Sequence, residues 1–405
     1  MNILFVTAVW VNKGESNIYS DLVQEFIKHG HSMTVATANE KRGDRQTCLS
    51  CEEGIEILRI STGSMQKTNK FKKTIYSFVY GIKLWYSTKK HMRKRYFDLI
   101  ICSTPPVTIS GAIKLIKRKY NAKMYLLLKD IWPQSAVDLH AMRKGGAVWT
   151  VFRFFEKLMY RNADFIGCMS PANINYLKKN NPYLDSGIIE LCPNSMKLRN
   201  NKEICRDRIR KKYNLPLEAV IFIFGGNLGI PQGVGFLLEL IGIMRDRKDV
   251  FFLIAGDGTE TPKIKKYLAE NKPECAAFIS RLRKDDYDEL VLSCDVGMIL
   301  LNKLFTMPNF PSRLLSYLHA GLPVVAAVDE ATDLGDILLQ YGCGEKVPAG
   351  NIEAFVRAVD RLASNAALRT EMGKRARKLL ETEYLVEKTY ETIIRHFKRE
   401  VSECV

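Results

Sequence analysis

The sequence lacks the features of membrane-spanning and exported proteins. No stretch reaches the roughly 18 consecutive apolar residues of a membrane span. The apolar N-terminus, MNILFVTAVWV, has neither a basic leader nor a small-residue cleavage site. We therefore expect these first residues to form a buried strand and not a signal peptide.

The sequence is also poor in patterns that bind metals. Of its ten cysteines, Cys48 and Cys51 form the only close pair, and neither a second pair nor histidines at zinc spacing accompany it. The other cysteines are scattered, mostly within apolar runs, where reduced cysteine behaves as a small hydrophobic residue. We predict a protein of the reducing cytoplasm that needs neither a metal nor another cofactor.

Acidic residues are few relative to basic ones. Lys and Arg number 61 against 44 Asp and Glu, a net charge of +17, which implies an anionic partner such as a nucleotide, a phospholipid surface or a nucleic acid. No known reading motif for nucleic acid accompanies the basic residues, so a nucleic-acid partner is not expected.

The excess of positive charge is concentrated in one segment. From Gln66 to Phe97 ten Lys or Arg residues occur without any Asp or Glu, and aromatic and aliphatic residues separate them. This pattern predicts a helix or helix pair lying on an anionic membrane surface, inserted into its domain at 66–97. A buried helix with a solvated basic end is the alternative. A second basic and aromatic patch, Met142 to Arg161, is expected to join this surface.

Strand-like apolar runs alternate with helical patterns along the whole chain. A polar, charged stretch between Asn194 and Leu215 interrupts the alternation, and 405 residues exceed what one hydrophobic core usually serves. We predict an α/β protein of two Rossmann-like, doubly wound domains, residues 1–198 and 199–383, that face each other across a ligand-binding cleft. A C-terminal helix within 384–405 is expected to pack back on the first domain.

The stretch Ile221 to Gly233, IFIFGGNLGIPQG, stands at the head of the second domain. It predicts a strand, a tight glycine-rich turn and then a helix. Backbone amides at a helix start are natural ligands of phosphate. The alternative is a turn that serves only to connect the strand to the helix.

Several segments in their order resemble retaining, nucleotide-sugar-dependent glycosyltransferases of family 4, which have the GT-B fold. The similarity is greatest to bacterial capsule, O-antigen and teichuronic-type enzymes that act on lipid-linked acceptors. The segments are residues 129–135 (KDIWPQS), 192–197 (CPNSMK), 226–233 (GNLGIPQG), 251–258 (FFLIAGDG), 293–301 (SCDVGMILL) and 310–325 (FPSRLLSYLHAGLPVV).

The resemblance implies an acceptor site in the first domain and a nucleotide-sugar site in the second. Arg313 is implied as a charge-assisted contact to the diphosphate and Lys303 as a second cation, each against the alternative of an ordinary loop or first-turn residue. Asp130 stands near the position of a histidine in many relatives and is implied to accept or orient the acceptor proton, against a helix-cap or turn role. The other implied binding residues are Gly14, Gly226, Asn227, Gly229, Gln232, Arg281, Leu282, Pro311, Ser312 and Ser316.

Some positions depart from the pattern of these relatives. Asn227 and Gln232 stand where many relatives have Arg and Lys, so the diphosphate charge would be met from elsewhere in the site. Ser316 stands where many relatives have a ribose-binding glutamate, and Asp329 or Glu330 could replace that carboxylate.

The resemblance predicts an enzyme that transfers a hexosyl or N-acetylhexosaminyl group. Its donor would be a UDP-sugar and its acceptor a polyprenyl-diphosphate-linked saccharide, at the cytoplasmic face of the cell membrane in bacterial surface polysaccharide biosynthesis. Two alternatives remain open: a catalytically silent GT-B partner of a membrane glycosyltransferase, and a UDP-sugar epimerase of related fold.

Overall fold

A computed structural model describes residues 1–11, 14–39, 46–63, 70–199 and 204–397. The chain forms two compact units. The first comprises Met1–Lys197 together with the segment that begins at Val386, and the second comprises Leu198–Leu385. Each unit is a layered α/β domain around one sheet, as the alternation of strand-like and helical patterns predicts.

The first unit contains an eight-stranded sheet with the order β3-β4-β2-β1-β5-β6-β7-β8. All neighbouring strands are parallel except β3, which pairs antiparallel with β4 at the edge of the sheet and was not expected from the sequence. The strands are β1 (Asn2–Thr7), β2 (Ser32–Asn39), β3 (Cys48–Glu52), β4 (Ile55–Ser61), β5 (Leu99–Ser103), β6 (Lys123–Leu128), β7 (Phe165–Cys168) and β8 (Ile189–Leu191).

Helices cover this sheet and connect its parallel strands. The first of them begins after Asn17, whose side chain accepts hydrogen bonds from the amides of Tyr19 and Ser20 and so satisfies two free helix donors. The helices are α1 (Ile18–Lys28), α2 (Lys70–His91), α3 (Ser110–Tyr120), α4 (Gln134–Asp138), α5 (Ala147–Asn162) and α6 (Pro171–Asn180).

The segment 66–97 is not an insertion, which corrects the expectation from its composition. Its helix α2 is the crossover between β4 and β5, and one face of that helix belongs to the core of the unit. Tyr80 and Leu84 are fully buried there, and the Tyr80 hydroxyl donates a hydrogen bond to the carbonyl of Thr7 (2.9 Å). Lys67 lies outside the described residues.

The second unit contains a six-stranded parallel sheet with the order β11-β10-β9-β12-β13-β14. Its strands are β9 (Val220–Asn227), β10 (Val250–Asp257), β11 (Ala276–Ser280), β12 (Val296–Leu300), β13 (Val324–Val328) and β14 (Gly344–Pro348). Its helices are α7 (Arg206–Lys212), α8 (Val234–Ile243), α9 (Thr261–Asn271), α10 (Lys284–Leu292), α11 (Arg313–His319), α12 (Leu334–Gln340), α13 (Ile352–Ser364) and α14 (Ala366–Glu383).

The final helix, α15 (Val386–Ile394), returns to the first unit and packs on α1. Tyr390 places its ring edge-on to Phe26 with centroids 4.9 Å apart, and Val386 and Ile393 are fully buried. The apolar side of this short helix therefore completes the core beneath β1 and β2.

Candidate functional site

The glycine-rich stretch lies at the carboxyl end of β9, in the middle of the second sheet. The sequence pattern predicts that the strand ends at its first glycine, but the structure differs. Gly225 pairs with Ala255 and Gly226 with Gly256, so the strand continues to Asn227. A Cβ on Gly256 would lie 1.9 Å from the Gly226 carbonyl oxygen. Glycine at 256 therefore permits the two strand ends to approach this closely.

The turn itself begins at Leu228, whose amide donates to the carbonyl of Asp257 (3.0 Å). A short 3-10 helix, Ile230–Gln232, follows, and Gly233 adopts φ +60° before α8 begins. A side chain at Gly233 would be strained in this left-handed conformation. Gln232 is buried, and its Oε1 atom has no hydrogen-bond partner among the described residues.

Helix α11 fixes the end of β9 through two side chains one turn apart. The Arg313 Nη2 atom donates to the carbonyl of Asn227 (2.7 Å), and the hydroxyl of Tyr317 accepts from the amide of Gly225 (3.0 Å). Residues four apart on a helix share one face. The predicted residues Arg313 and Asn227 are thus in direct contact, and Tyr317 holds the other end of the same three-residue segment.

The Arg313 guanidinium is a buried charge beneath the glycine turn. Its Cζ atom lies 4.3 Å from the centroid of the Phe224 ring, an arrangement in which a ring face stabilises a cation. Burial lowers the pKa of Arg313, opposed by the neighbouring Tyr317 and Tyr287, but arginine keeps its charge in proteins. Among the described residues the Nη1 atom has no hydrogen-bond partner. A buried charged donor without a hydrogen bond costs free energy. Such donors are typical of sites where a ligand supplies the missing acceptor.

Two tyrosines at this turn were not predicted from the sequence. Tyr317 holds the Gly225 amide, and the hydroxyl of Tyr287 lies against the Gly225 backbone, only 2.1 Å from where a Cβ would stand. Burial raises the pKa of both hydroxyls, so both stay protonated. Tyr317 could have been predicted from the sequence, because it lies four residues after Arg313 and so shares its helix face. Tyr287, on α10, has no comparable sequence pattern.

The loop that carries Lys303 is tied to the glycine turn. The Asn302 amide donates to the carbonyl of Pro231 (3.0 Å), and its side-chain amide donates to the carbonyl of Ile230 (3.4 Å). Lys303 itself is exposed, with its aliphatic stem against Gly350. The structure therefore brings the Lys303 loop to the turn and leaves the ammonium accessible.

The other predicted nucleotide-binding residues occupy three loops and helix starts of this unit. Arg281 is exposed and Leu282 half-buried in the loop between β11 and α10. Pro311 is buried and Ser312 exposed directly before α11, and Ser316 lies half-buried on that helix. Gly229 adjoins the Asn227 side chain: a Cβ on Gly229 would lie 3.4 Å from its Nδ2 atom.

Asp329, considered as a replacement for the missing ribose-binding carboxylate, is committed to its own loop. Its carboxylate accepts from the amide of Ala331 and from the hydroxyl of Thr332, each at 3.0 Å. Burial raises its pKa, and these hydrogen bonds oppose the shift. Glu330 next to it is exposed. His319 is buried, and its Nε2 atom lies 3.1 Å from the carbonyl oxygen of Arg199.

In the first unit the predicted residues lie beyond the carboxyl ends of the strands. Gly14 is exposed at φ +80° between β1 and α1. Asp130 follows β6, and its carbonyl accepts from the Thr104 hydroxyl at 3.5 Å. Lys129, beside it, donates from its amide to that same hydroxyl oxygen (3.1 Å). The carboxyl edge of a parallel sheet is where such folds bind ligands.

Clusters of metal ligands and membrane-spanning helices do not occur in the described ranges. No group of three or more His, Cys, Asp or Glu side chains there is arranged to hold a metal ion. None of the helices in those ranges combines the length and apolar character needed to cross a bilayer.

Sequence comparison finds a family match within the second unit. Residues 205–379 match the family described as Glycosyl transferases group 1. The chain is 22% identical over 289 residues to WbjE of Pseudomonas aeruginosa, described as a probable glycosyltransferase, across 68% of this chain and 69% of that protein. It is 22% identical over 274 residues, 65% of each chain, to WcaI of Escherichia coli K12, whose provisional name is colanic acid biosynthesis glycosyl transferase.

Solved structures share the whole fold at low identity. Sucrose-phosphate synthase of Thermosynechococcus elongatus superposes with a TM-score of 0.77 at 17% identity over 98% of both chains. WaaG, a glycosyltransferase of lipopolysaccharide biosynthesis, gives 0.70 at 14% identity over 96% of this chain and 99% of WaaG. HepE of Anabaena, solved with UDP-glucose, gives 0.70 at 13% identity over 98% of this chain and 99% of HepE.

These similarities confirm the predicted fold class: the chain has the GT-B fold of two Rossmann-like domains. Together with the matched family they support a glycosyltransferase, a transferase of class EC 2.4.

Proposed function

We propose that this chain is a retaining glycosyltransferase that moves a hexosyl or N-acetylhexosaminyl group from a UDP-sugar to a polyprenyl-diphosphate-linked saccharide. The observation that carries the proposal is the buried Arg313 guanidinium, which holds the glycine turn through one nitrogen while the other has no partner among the described residues. A nucleoside diphosphate leaving group needs stabilisation by amides and cations aimed at it in advance.

In the proposed donor site the turn supplies backbone and shape, and the charge comes from other elements. Asn227 and Gln232 are neutral, so Arg313 and the exposed Lys303 beside the turn are the cations that would meet the diphosphate. Gly226, Gly229, Pro311 and Ser312 would line its approach. The UDP-glucose complex of HepE supports the choice of donor class.

We place the base and ribose contacts of the donor in the same unit. Arg281 and Leu282, in the loop after β11, would hold the base, and Ser316 would hydrogen-bond the ribose. Asp329 is engaged in its own loop, so the exposed Glu330 is the acid that would replace the ribose-binding carboxylate. In the first unit Gly14 and Asp130 belong to the acceptor side, and Asp130 would accept or orient the acceptor proton. No step is assigned to a metal ion.

The names of related proteins support an acceptor in surface polysaccharide biosynthesis, namely colanic acid for WcaI and lipopolysaccharide for WaaG. In the proposed function, the acceptor saccharide is carried on a membrane lipid. We therefore propose that the protein works at the cytoplasmic face of the membrane as a peripheral, monotopic enzyme, bound through an exposed surface of the first unit.

That surface, called the α2–α5 surface below, consists of exposed apolar side chains on two helices: Ile75, Ile82 and Tyr86 of α2, and Val148, Val151 and Phe154 of α5. The Phe78 ring joins the helices, with its centroid 5.3 Å from that of Phe155. Exposed basic residues continue it at the end of α2: Lys89, Lys90, Arg93 and Lys94. The one acid of α5, Glu156, is buried, so an anionic bilayer meets no opposing charge on either helix.

The donor assignment is tested by UDP binding. Wild-type protein should be stabilised against heat by UDP through mass action. Arg313→Met should weaken UDP binding at least about tenfold, because a charge-assisted contact is lost, while Arg313→Lys should retain part of the affinity. The exposed Arg245 provides a matched control, since Arg245→Met leaves the turn intact. Equal UDP affinity in wild type and Arg313→Met would refute the assignment.

Product analysis separates the transferase from its alternatives. Release of UDP with a new α- or β-linkage of the donor's configuration, read by nuclear magnetic resonance, supports retaining transfer. A changed sugar that stays attached to UDP identifies an epimerase, and no turnover despite UDP binding identifies a silent partner subunit. The same assay with a chelator tests whether transfer needs a metal.

A further inference from the structure

The Lys129 side chain lies at the carboxyl edge of the first sheet, and no described residue supplies a counter-charge to its ammonium. It follows β6, and its Nζ atom lies 3.5 Å from the carbonyl oxygen of Cys192, which follows β8. It thus reaches across the end of β7. No other hydrogen bond or ion pair of its ammonium occurs within the described part of the chain. One contact, at the outer limit of hydrogen-bond distance, leaves most of its donor capacity unused.

Lys117, in the same unit, shows the partners that a lysine with a structural role has. The Lys117 ammonium donates to the Asp164 carboxylate (2.6 Å) and to the carbonyl of Asn162 (2.8 Å). Lys129 has no such carboxylate within salt-bridge distance in the described ranges. Its near neighbours are the thiols of Cys168 and Cys192, whose pKa values burial raises, for Cys168 to about 12, so neither supplies a negative charge.

Burial also lowers the pKa of Lys129 itself, because taking an ammonium out of water without a partner is unfavourable. A carbonyl at 3.5 Å does little to offset that cost. A negatively charged ligand would offset the cost of burying the ammonium. Lys129 is half-buried beside Asp130, just beyond a strand end, and this is where parallel α/β sheets bind ligands.

We propose that Lys129 forms an anion-binding site in which its ammonium binds an anionic oxygen of the substrate, a phosphate or a carboxylate. The role rests on the proposed glycosyl transfer. Two sources can present that oxygen to the first unit: the phosphate of a lipid-linked acceptor, or the carboxylate of an acidic sugar. In either case the ammonium contacts substrate directly, and the Thr104 hydroxyl holds its backbone in place.

The test compares Lys129→Met, which replaces the aliphatic stem but removes the terminal ammonium and its charge, with Lys129→Arg, which keeps the charge. Lys123, at the opposite end of β6 and 67% exposed, supplies the matched control Lys123→Met. Inorganic phosphate and glucuronate are titrated separately against each purified full-length protein, and the shift in melting temperature gives the affinity. Wild type, Lys129→Arg and Lys123→Met should bind alike, and Lys129→Met about tenfold or more weakly.

The two anions distinguish the source of the charge. A Lys129-dependent shift with phosphate alone assigns a phosphate, one with glucuronate alone assigns an acidic sugar, and one with both supports a site for either anion. Melting without added anion separates binding from structure: Lys129→Met should melt no lower than wild type, since the unpaired charge is gone. A lower melting temperature of Lys129→Met would indicate that Lys129 serves as a structural tie to Cys192 and would overturn the proposal. Equal anion affinity in wild type and Lys129→Met would overturn it too.

UDP is titrated in parallel to keep this proposal apart from the proposed function. UDP binding that persists in Lys129→Met but fails in Arg313→Met shows two separate sites, as expected. If no variant and no wild type binds UDP, the proposed function fails, while the phosphate and glucuronate results still decide the role of Lys129.

Discussion

Two tyrosine hydroxyls lie against Gly225 in different ways. That of Tyr317 accepts the Gly225 amide at 3.0 Å, whereas that of Tyr287 is buried without a partner among the described residues. Removing the first hydroxyl leaves a buried amide unsatisfied, which costs about 1–3 kcal/mol. Removing the second deletes a polar atom that makes no hydrogen bond. The same chemical change at neighbouring positions should therefore have opposite consequences.

We predict that Tyr317→Phe lowers the free energy of unfolding by about 1–3 kcal/mol and weakens UDP binding, because the end of β9 loses one of its two ties to α11. Tyr287→Phe should leave stability unchanged or raise it and should leave UDP binding intact. Denaturant unfolding and UDP titration of the two variants check this. Equal losses in both would show that the hydroxyl contact to Gly225 does not position the turn.

Gly225 itself has no room for a side chain. A Cβ there would stand 2.1 Å from the Tyr287 hydroxyl oxygen and 2.9 Å from the nearest ring carbons. We predict that Gly225→Ala destabilises the protein by about 1–3 kcal/mol and that Tyr287→Phe restores part of the loss, because the closest atom is then absent. A double-mutant cycle on denaturant unfolding measures the coupling, expected at about 0.5–3 kcal/mol.

The control for this cycle is Gly235→Ala on α8, where the nearest atom to a new Cβ is the flexible Lys263 ammonium at 3.6 Å. Alanine favours a helix over glycine by about 1 kcal/mol, so this variant should be no less stable than wild type. A Gly225→Ala loss that Tyr287→Phe does not reduce would place the strain elsewhere than at the hydroxyl.

At the scale of elements, strand positions were predictable and strand ends were not. The run Ile221–Phe224 predicted β9 correctly, but the glycines after it indicated a turn. In the structure Gly225 and Gly226 continue the ladder beside Ala255 and Gly256, because the neighbouring strand β10 supplies their hydrogen bonds. Glycine propensity is a local signal, and a parallel partner that comes later in the chain overrides it.

Helix α2 carries two sequence patterns that predict different surroundings. Its composition indicates a membrane surface, whereas its buried stripe indicates a helix of the core. Ser77, Tyr80, Leu84 and Thr88 recur at helical spacing and are buried in the core. Lys83, Lys89 and Lys90 of the same helix are exposed, so a basic pattern and a core pattern were both present in the sequence. Which side faced the sheet depended on strands that are distant in the chain.

The site was predictable as a set of segments and not as a set of contacts. Arg313 and Asn227 were both expected from the family resemblance, but they are 86 residues apart, and only the tertiary structure shows that one holds the carbonyl of the other. The sequence carries no such signal for Lys129, since a charge without a partner is recognised only when the surrounding side chains are known.

The packing of α15 on α1 contains a histidine that disfavours acid. The His31 ring nitrogen Nε2 lies 3.1 Å from the Tyr390 hydroxyl, and its Nδ1 lies 3.3 Å from the amino group of Met1. Burial, followed by the charges of the N-terminus and His29, lowers the pKa of His31 below its ordinary value of 6.5. Its neutral form is therefore favoured in the folded protein more than in the unfolded chain.

Because the folded-state pKa is the lower one, the unfolded chain takes up the proton first as pH falls. The stabilising contribution of neutral His31 is present above about pH 6.5 and is lost as pH falls through the folded-state pKa. We predict that the free energy of unfolding of wild type decreases more steeply between about pH 7.5 and about pH 5.5 than that of His31→Gln. Denaturant unfolding at both pH values measures the two slopes, and identical slopes would contradict the prediction.

At the scale of the whole molecule, the net charge of +17 is unevenly used. Basic residues continue the α2–α5 surface, whereas many basic residues of the second unit are paired in salt bridges such as Arg210 with Asp295 and Arg247 with Asp360. Paired charges cancel at a distance, and unpaired ones attract anionic surfaces. The excess charge thus acts mainly where apolar side chains are also exposed, which is the combination that binds an anionic bilayer.

We predict that wild-type protein sediments with phosphatidylglycerol vesicles and that raising the ionic strength from about 0.1 M to about 1 M releases it. Replacing Ile82, Tyr86 and Phe154 by Ser should weaken binding about tenfold or more, because these side chains, 60%, 64% and 61% exposed, would enter the interface. A matched control replaces Ile243 and Leu339 by Ser, which are 57% and 52% exposed in the second unit. Since all five positions are exposed, melting temperatures should stay close to that of wild type. Vesicle binding that survives the first set, or falls equally with the control, would exclude the α2–α5 surface as the membrane contact.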